Sequence, residues 1–531
     1  MGVRGGTRRT GLLLAALPAL FLLGMVVAPL LRLALEAWQA LDSAAVLERL
    51  QDTYLQRRLG WTLLQALATC LLALLIGVPV AWVLARRAFP GRALVLQLLT
   101  LPFVVPTLVA AMGVLALAGP RGWSAAWWGL HGQDTPWLLL YGNLFFNLCI
   151  VVRAAAEGLG RVSAARLAAA RTLGATPWRA FWRIEWPALL PWLGSALCLV
   201  FLYAFSGFGL ALVLGGQAYA TIEVEIYTLV AHELQLATAG LLALLVLLLT
   251  GLVVLVHARF ERQLATPARA DAVPRSLPRG WQGRTAVVLA LATLGLVCAA
   301  PILAILLQVA AAGSAAWAVL LEPQTLLALW NTVRFTLLAL VLATLLGVTH
   351  ALAARRSTAL RAAAFLPFVV SPVTVAFGLL LLYPAWSASL PLLLAAYALL
   401  AYPFVANALG AALDALPAGV LQVARTLGAS PARVFWRVTL PLVQPALRRG
   451  MAFAAATALG EFAVTLFLSR PEWSTLSTLI YERLGRPGAA NRDEALVLAA
   501  LLVLLAWLVF VLIDGPGRDR RSAPADGGLD A

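Results

Sequence analysis

Long apolar segments recur from one end of this 531-residue chain to the other, and no other feature limits its fold as strongly. A helix that crosses the hydrocarbon core of a bilayer needs about 20 mainly apolar residues, and counting such stretches gives about twelve spans. We therefore expect an all-α, polytopic membrane protein whose first span stays in place as a signal anchor, since it is too long for a cleaved signal sequence. The predicted spans are 11–35, 61–85, 94–118, 136–153, 188–214, 238–257, 285–310, 329–353, 360–382, 389–410, 443–468 and 495–513.

The basic residues predict how the chain is oriented. All 39 of them are arginine, and the formal net charge is +16. Most lie in alternate loops between the predicted spans, and the arginine-rich side of a membrane is the cytoplasmic side. The pattern predicts a multi-pass protein of the cytoplasmic (inner) membrane, surrounded by lipid, with both termini cytoplasmic. It does not favour a nucleic-acid partner, because no aromatic residues interleave a basic face. The last predicted outer loop departs from the rule with Arg470, Arg483, Arg486 and Arg492.

The absence of lysine limits the chemistry of the chain. A Walker A loop needs a lysine on the nucleotide phosphates, so this chain does not hydrolyse ATP by that route. The cysteines stand singly within apolar segments, where a thiol packs as a small apolar group, and the histidines show no ligand spacing. We therefore assign no catalytic, cofactor-binding or metal-binding residues to the chain, and we expect any ATP and Mg²⁺ to belong to a partner.

The sequence is built twice. The six residues 170–175 recur at 424–429, an offset of 254, and 101–105 recur at 366–370 with an offset of 265. Each copy holds six predicted spans, so both copies have the same orientation. We expect a first half at 1–257, a cytoplasmic linker at 258–284 that is rich in arginine and proline, a second half at 285–515, and a disordered cytoplasmic tail at 516–531.

The loop between the fourth and fifth spans of each half is the most informative segment. These loops cover about 154–187 and 411–441, and the residues at 164–173 and 418–427 favour short helices. Gly174 and Gly428 are placed to end those helices in a left-handed conformation. Pro177 and Pro431 suit the first position of a following helix. The spacing reads Ala168-Ala-Ala170, three residues, Gly174, nine residues, Ile184-x-Trp-Pro187, and then Gln422-Val-Ala424, three residues, Gly428, nine residues, Val438-x-Leu-Pro441.

This spacing resembles the cytoplasmic EAA loop of binding-protein-dependent ABC importer permeases. The resemblance implies two tandem, six-helix, MetI-like halves, a separate homodimeric ATPase that receives both loops, and an extracytoplasmic substrate-binding protein. The acidic residue that opens the family motif is replaced by Ala168 and Gln422, so any ion pair that it makes is absent here. The residues to which the resemblance assigns ATPase coupling are Ala170, Arg171, Gly174, Pro177, Pro187, Ala424, Arg425, Gly428, Pro431 and Pro441.

A second pair of matching segments lies late in the fifth span of each half. Residues 204–208 align with 458–462, and Glu461 is one of very few acids within a predicted span. An ionisable side chain at membrane depth costs about 2.5–3.5 kcal/mol on insertion scales, which makes it a functional candidate. The alternatives are a wetted helix break for Glu461 and aromatic core packing for the phenylalanines. The candidates for the translocation path are Ser206, Phe208, Glu461 and Phe462.

Two halves fused in one chain look like the ferric-iron and thiamine branch of these permeases. Within that branch, residues 214–227 are most similar to the outer segment of thiamine and thiamine pyrophosphate permeases. The resemblance implies transport of thiamine or its phosphate esters, with ferric iron as the alternative. A secondary, ion-coupled transporter is the alternative of another class. It needs ionisable groups deep in its spans, and this chain is poor in them.

Overall fold

The structure is a computed structural model that describes residues 14–41, 48, 51–129, 132, 135–264, 273–355, 357–387 and 389–515. The described part is helical almost throughout, and its β-structure is one isolated bridge between Arg87 and Ser276. The predicted disordered tail at 516–531 lies outside the described residues. The all-α prediction is confirmed.

Ten helices of the first half recur in the same order in the second half. They are numbered so that each helix and its counterpart differ by ten. The first half contains α1 (Leu14–Gln39), α2 (Thr53–Arg86), α3 (Arg92–Phe103), α4 (Thr107–Ala118), α5 (Pro136–Gly160), α6 (Ala164–Thr172), α7 (Trp186–Phe205), α8 (Phe208–Leu214), α9 (Ile222–Ala231) and α10 (Leu236–Leu264). The second half contains α11 (Gly280–Ala311), α12 (Pro323–Ala354), α13 (Ala359–Val369), α14 (Pro372–Leu382), α15 (Leu390–Asp414), α16 (Ala418–Thr426), α17 (Leu440–Leu459), α18 (Ala463–Leu468), α19 (Leu476–Gly485) and α20 (Ala489–Asp514).

The number of spans is slightly lower than predicted. Among the described residues, ten helices are long and apolar enough to cross a membrane, or eleven if α13 and α14, which meet at 97°, count as one bent span. The remaining predicted span, 443–468, is α17 followed by a break, and Gln444, Arg448 and Arg449 make α17 too polar to be counted by composition. It nevertheless occupies the place that α7 has in the first half.

Several predicted spans are interrupted helices. The predicted span 94–118 is divided between α3 and α4, and 360–382 between α13 and α14. Proline explains these breaks, since Pro106 and Pro372 lack the amide hydrogen that would continue the helix. The predicted spans 188–214 and 443–468 break at Gly207 and Gly460. All four breaks face the interior between the halves.

The first helix of each half packs against the other half. Helix α1 contacts α14 in addition to α10 of its own half, and α11 contacts α4 in addition to α20. Glycine permits both close approaches. A Cβ on Gly378 would lie 3.0 Å from the Cβ of Pro29, and a Cβ on Gly113 would lie 2.8 Å from the carbonyl oxygen of Pro301. As a result, three clusters of buried apolar residues contain side chains from both halves.

The predicted linker at 258–284 is partly helical. Helix α10 continues to Leu264 because Phe260 packs over Gly194 of α7, and α11 already begins at Gly280. Residues 265–272 lie outside the described part. The remaining segment is attached to the end of α2. The amide of Ser276 donates to the carbonyl oxygen of Arg86 at 3.0 Å, and the Ser276 carbonyl accepts from the amide of Ala88 at 3.0 Å.

Two of the four arginines that depart from the charge rule, Arg483 and Arg486, are neutralised by nearby carboxylates. Arg483 is buried and forms ion pairs with Glu322 and Glu494. Arg486 pairs with Glu482 at 2.5 Å. The two pairs of Arg483 fix α19 to the beginnings of α12 and α20. The positive charge of Arg483 therefore has a structural role that the charge rule does not include.

Candidate functional site

Two exposed turns of nearly identical geometry stand at equivalent places in the halves. In the first, here called the Gly174 turn (residues 164–180), α6 ends at Thr172 and Gly174 has φ +77°. The amide of Ala175 donates to the carbonyl oxygen of Ala170 at 2.9 Å, which closes the helix end. The left-handed conformation expected for this glycine is present.

The second turn, here called the Gly428 turn (residues 418–434), repeats this arrangement. Gly428 has φ +78°, and the amide of Ala429 donates to the carbonyl oxygen of Ala424 at 3.1 Å. In both turns a hydroxyl then caps the next helical turn, which begins at Pro177 or Pro431. Thr176 accepts from the amide of Arg179 at 3.3 Å, and Ser430 accepts from that of Arg433 at 3.4 Å.

The tips of the turns are apolar and exposed. Leu173 is 87% exposed and Leu427, its counterpart, is 80% exposed. Arg171 and Arg425, two residues earlier in each turn, are also exposed. A Cβ on either turn glycine would meet no atom within 4 Å. Such a leucine tip beside an arginine fits a contact with another protein, since an exposed apolar side chain gains most from burial.

Each turn leads through a short π-helical segment into a long helix. These segments are Phe181–Glu185 before α7 and Phe435–Thr439 before α17. Pro187 and Pro441 occupy the second positions of α7 and α17, where a missing amide hydrogen is tolerated. Each turn is therefore continuous with a helix that reaches the interior of the bundle.

A buried ion pair joins the π-helical segment that follows the Gly174 turn to α2. Arg86 Nη2 lies 2.6 Å from Glu185 Oε1, and Trp82 Nε1 donates to Glu185 Oε2 at 3.3 Å. Both charged side chains are buried. The second half has Thr439 in place of Glu185. The sequence analysis missed this pair, although an acid beside Pro187 in an arginine-rich loop was a possible signal.

A cavity of about 330 Å³ lies between the halves, where the four helix breaks meet. Both halves line it, and aromatic side chains form much of its wall. The lining residues are Phe103, Val105, Pro106, Thr107, Asn143, Phe146, Asn147, Leu202, Tyr203, Ser206, Gly207, Phe208, Gly209 and Leu210 from the first half, and Pro367, Phe368, Val370, Ser371, Pro372, Leu400, Phe404, Phe453, Ala456, Thr457, Gly460, Glu461, Phe462 and Ala463 from the second.

All four residues predicted for the path line this cavity. The rings of Phe208 and Phe462 stack across the boundary between the halves, with centroids 6.0 Å apart and planes inclined by 22°. Glu461 lies at the α17–α18 break, where its Oε1 accepts from the amide of Val464 at 2.9 Å. Ser206 lies at the corresponding α7–α8 break. The grouping is observed, but whether substrate passes between these side chains stays a prediction.

A buried amide network beside the cavity was missed by the sequence analysis. Gln65 donates to the carbonyl oxygen of Ala204 at 2.7 Å, which satisfies a group at the end of α7. Asn143 donates to Gln65 Oε1 at 2.7 Å, and Asn147 donates to the carbonyl oxygen of Asn143 at 2.8 Å. The signal in the sequence was the presence of three amide side chains, Gln65, Asn143 and Asn147, within apolar spans, because buried amides need partners.

Comparison with known proteins is consistent with the duplicated architecture. The family model described as "binding-protein-dependent transport system inner membrane component" matches residues 73–265 and 340–515. The thiamine transport system permease protein ThiP of Escherichia coli is 28% identical over 502 residues, which cover 88% of this chain and 90% of that protein. ThiP of Brucella abortus is 29% identical over 534 residues, or 95% of each chain.

A shorter relative corresponds to part of the chain. The sulfate transport system permease protein CysW of Synechocystis is 31% identical over 208 residues, which cover 39% of this chain and 75% of CysW. The family model matches twice and covers well over half of the sequence, in agreement with two tandem MetI-like halves. The chain therefore belongs to the family of inner membrane components of binding-protein-dependent transport systems.

Proposed function

We propose that this chain is the fused permease subunit of an ATP-driven importer of thiamine. The observation that carries the proposal is the combination of two matched, exposed turns with a single cavity shared by both halves. Two equal contacts fit a symmetric ATPase partner, and a shared cavity fits a single substrate route through the molecule. The relatives that match along nearly the whole chain are named as thiamine permeases, which supports the substrate.

The exposed turns are the proposed EAA-type contacts with the ATPase. Leu173 and Leu427 enter a cleft in each subunit of a separate, homodimeric ATPase, and Arg171 and Arg425 add charge at its edge. ATP and Mg²⁺ bind to that partner. Closure of the ATPase dimer brings the turns together, and the π-helical segments transmit the movement to α7 and α17.

The proposed orientation places both turns in the cytoplasm. An even number of spans, six in the predicted scheme, separates the two turns, so they share one face of the membrane. The arginines around them favour the cytoplasmic side. Both termini are then cytoplasmic, and the substrate-binding protein docks on the opposite face, near α9 and α19.

The named relatives favour thiamine over ferric iron as the substrate. Membership of the family also favours a binding-protein-dependent permease over an ion-coupled carrier, because the components of this family work with a binding protein. Thiamine phosphate esters stay within the proposal, since a binding protein selects the substrate before it reaches the permease.

Reconstitution tests the proposal. The permease is purified with its ATPase and placed in vesicles, and uptake of radiolabelled thiamine is followed with the binding protein outside and ATP inside. We expect accumulation that requires ATP and the binding protein and that excess Fe³⁺ does not reduce. Uptake that continues without ATP and follows a proton gradient would contradict it, as would a binding protein that retains ferric ion.

A further inference from the structure

We propose that the cavity between the halves is an intramembrane binding site for a flat organic cation, and that Glu461 determines its preference for positive charge. The inference rests on the proposed transport function and adds the residues that recognise the substrate after the binding protein has released it. Four independent features of the cavity support this assignment.

The first feature is the sign of the charge. Among the 28 residues that line the cavity in the described part of the chain, Glu461 is the only one of the types Asp, Glu, Arg, Lys and His. A single charge in a site of low polarity is weakly screened, so it determines which ligands enter favourably. The amide of Val464 at the start of α18 donates to Glu461 Oε1 at 2.9 Å and holds the side chain at the helix break. The cavity therefore favours a positively charged ligand.

The second feature is the aromatic wall. Two pairs of rings are stacked, Phe208 with Phe462 at 6.0 Å and Phe404 with Phe453 at 6.3 Å between centroids. Ring faces attract cations and stack on other flat rings. The wall therefore suits a cation that is itself planar and delocalised better than a compact, strongly hydrated ion. The aromatic lining residues are Phe103, Phe146, Tyr203, Phe208, Phe368, Phe404, Phe453 and Phe462.

The third feature is an amide oxygen without a partner. Asn147 is 2% exposed, and its Oδ1 accepts no hydrogen bond from the described residues. Its Nδ2 donates to the carbonyl oxygen of Asn143. A buried acceptor left unpaired is costly, so a ligand that brings an N–H donor gains by pairing with it. Asn147 belongs to the first half and Glu461 to the second, so the ligand would contact both halves.

The fourth feature separates the charge of Glu461 from its role as a helix cap. At the equivalent position in the first half, α8 begins after Gly207 with no side-chain cap, so a break of this kind forms without an acid. A glutamine at position 461 keeps an oxygen that can accept from the amide of Val464. Glu461→Gln therefore removes the negative charge while keeping the size and the cap.

The experiment measures binding without the binding protein. The permease–ATPase complex in nanodiscs is titrated with radiolabelled thiamine and with its neutral analogue, in which a carbon replaces the thiazolium nitrogen. We expect the wild-type complex to bind the cation about tenfold or more tightly than the neutral analogue, the range typical of one close charge pair. Glu461→Gln should remove this preference without weakening binding of the neutral compound, and Glu461→Asp should keep most of it.

Glu223→Gln provides the matched control. Glu223 is fully buried and accepts at 2.7 Å from Ser371, a lining residue, but its own side chain does not line the cavity. Its replacement should leave the preference for the cation in place. An equal loss of preference in both glutamine variants would overturn the assignment to Glu461, and so would a Glu461→Gln complex that still prefers the cation.

The two proposals fail in different ways. If wild-type vesicles with ATP and the binding protein accumulate no thiamine, the proposed function is wrong. If they accumulate thiamine and Glu461→Gln leaves the tenfold preference unchanged, only the cavity assignment is wrong. Each variant is first checked for retention of the ATPase in a monodisperse complex, so that misfolding is recognised before binding is measured.

Discussion

The two halves are nearly equal at their exposed turns and unequal in the membrane. Gly174 and Gly428 have φ values of +77° and +78°, and leucines of similar exposure follow the same helix ends. At the helix breaks inside the bundle, by contrast, Gly207 of the first half corresponds to Glu461 of the second. The halves also differ just behind the turns, where Glu185 corresponds to Thr439.

This contrast separates two demands on a duplicated chain. Under the proposed function, a partner made of two identical subunits needs two identical contacts, and the matched geometry of the turns meets that need. A substrate without internal symmetry needs a site whose two walls differ, so the cavity has an amide on one wall and a carboxylate on the other. The comparison predicts equal effects of matched changes at the turns and unequal effects of matched changes behind them.

The largest expected effect is loss of the ATPase when both turn glycines are replaced. Gly174→Val with Gly428→Val forces a β-branched residue into a left-handed conformation, which costs about 1–2 kcal/mol at each turn. We expect the double variant to lose the ATPase on affinity purification. The two single variants should lose it to the same extent as each other.

The control for this experiment is Gly410→Val, since Gly410 also has open space around a Cβ but no positive φ. It should retain the ATPase. Strongly different losses in the two single variants would show that the turns do not act as equal contacts, and the comparison between the halves would then fail.

The second effect concerns the buried pair behind the Gly174 turn. Glu185→Ala leaves the Arg86 guanidinium buried without its carboxylate, and we expect the free energy of unfolding to fall by roughly 3 kcal/mol. The matched change Thr439→Ala should cost less than about 1 kcal/mol. Thermal unfolding of the purified permease in one detergent measures both. Equal costs would mean that the ion pair contributes no more than the hydroxyl, and the asymmetry would have no energetic basis.

The smallest effect tests a feature that the halves share. Thr62 Oγ1 accepts from the amide of Ile222 at the start of α9, and Thr332 Oγ1 accepts from the amide of Leu476 at the start of α19, both at 2.9 Å. Thr62→Val and Thr332→Val should each lower the free energy of unfolding by about 1 kcal/mol. Amide hydrogen exchange in α9 and α19 should rise by similar factors. A change confined to one of the two helices would contradict the symmetry of these outer segments.

Features that depend on neighbouring residues could be predicted from the sequence. The duplication and the left-handed glycines follow from spacing and local backbone preference. The positions of most spans follow from apolar composition. The four candidate path residues line one cavity because the two breaks occupy equivalent places in the repeat.

Features that depend on distant residues could not be predicted. Arg86 and Glu185 are 99 positions apart, and Glu322 and Arg483 are 161 apart. An average of hydropathy over consecutive residues also conceals the sharp bend between α13 and α14, because both helices are apolar. The amide network shows the same limit, since each amide alone reads as a weakly polar residue within a span.

The exchange of first helices has a consequence for synthesis. Helix α1 leaves the ribosome more than 300 residues before α14, against which Pro29 packs on Gly378. At ordinary elongation rates this interval is roughly 15 to 65 s. During that time lipid or the insertion machinery covers the surface that α14 later occupies. The amino-terminal half therefore reaches its final packing only after the first spans of the carboxy-terminal half, up to α14, have entered the bilayer, so the two halves cannot complete their assembly independently.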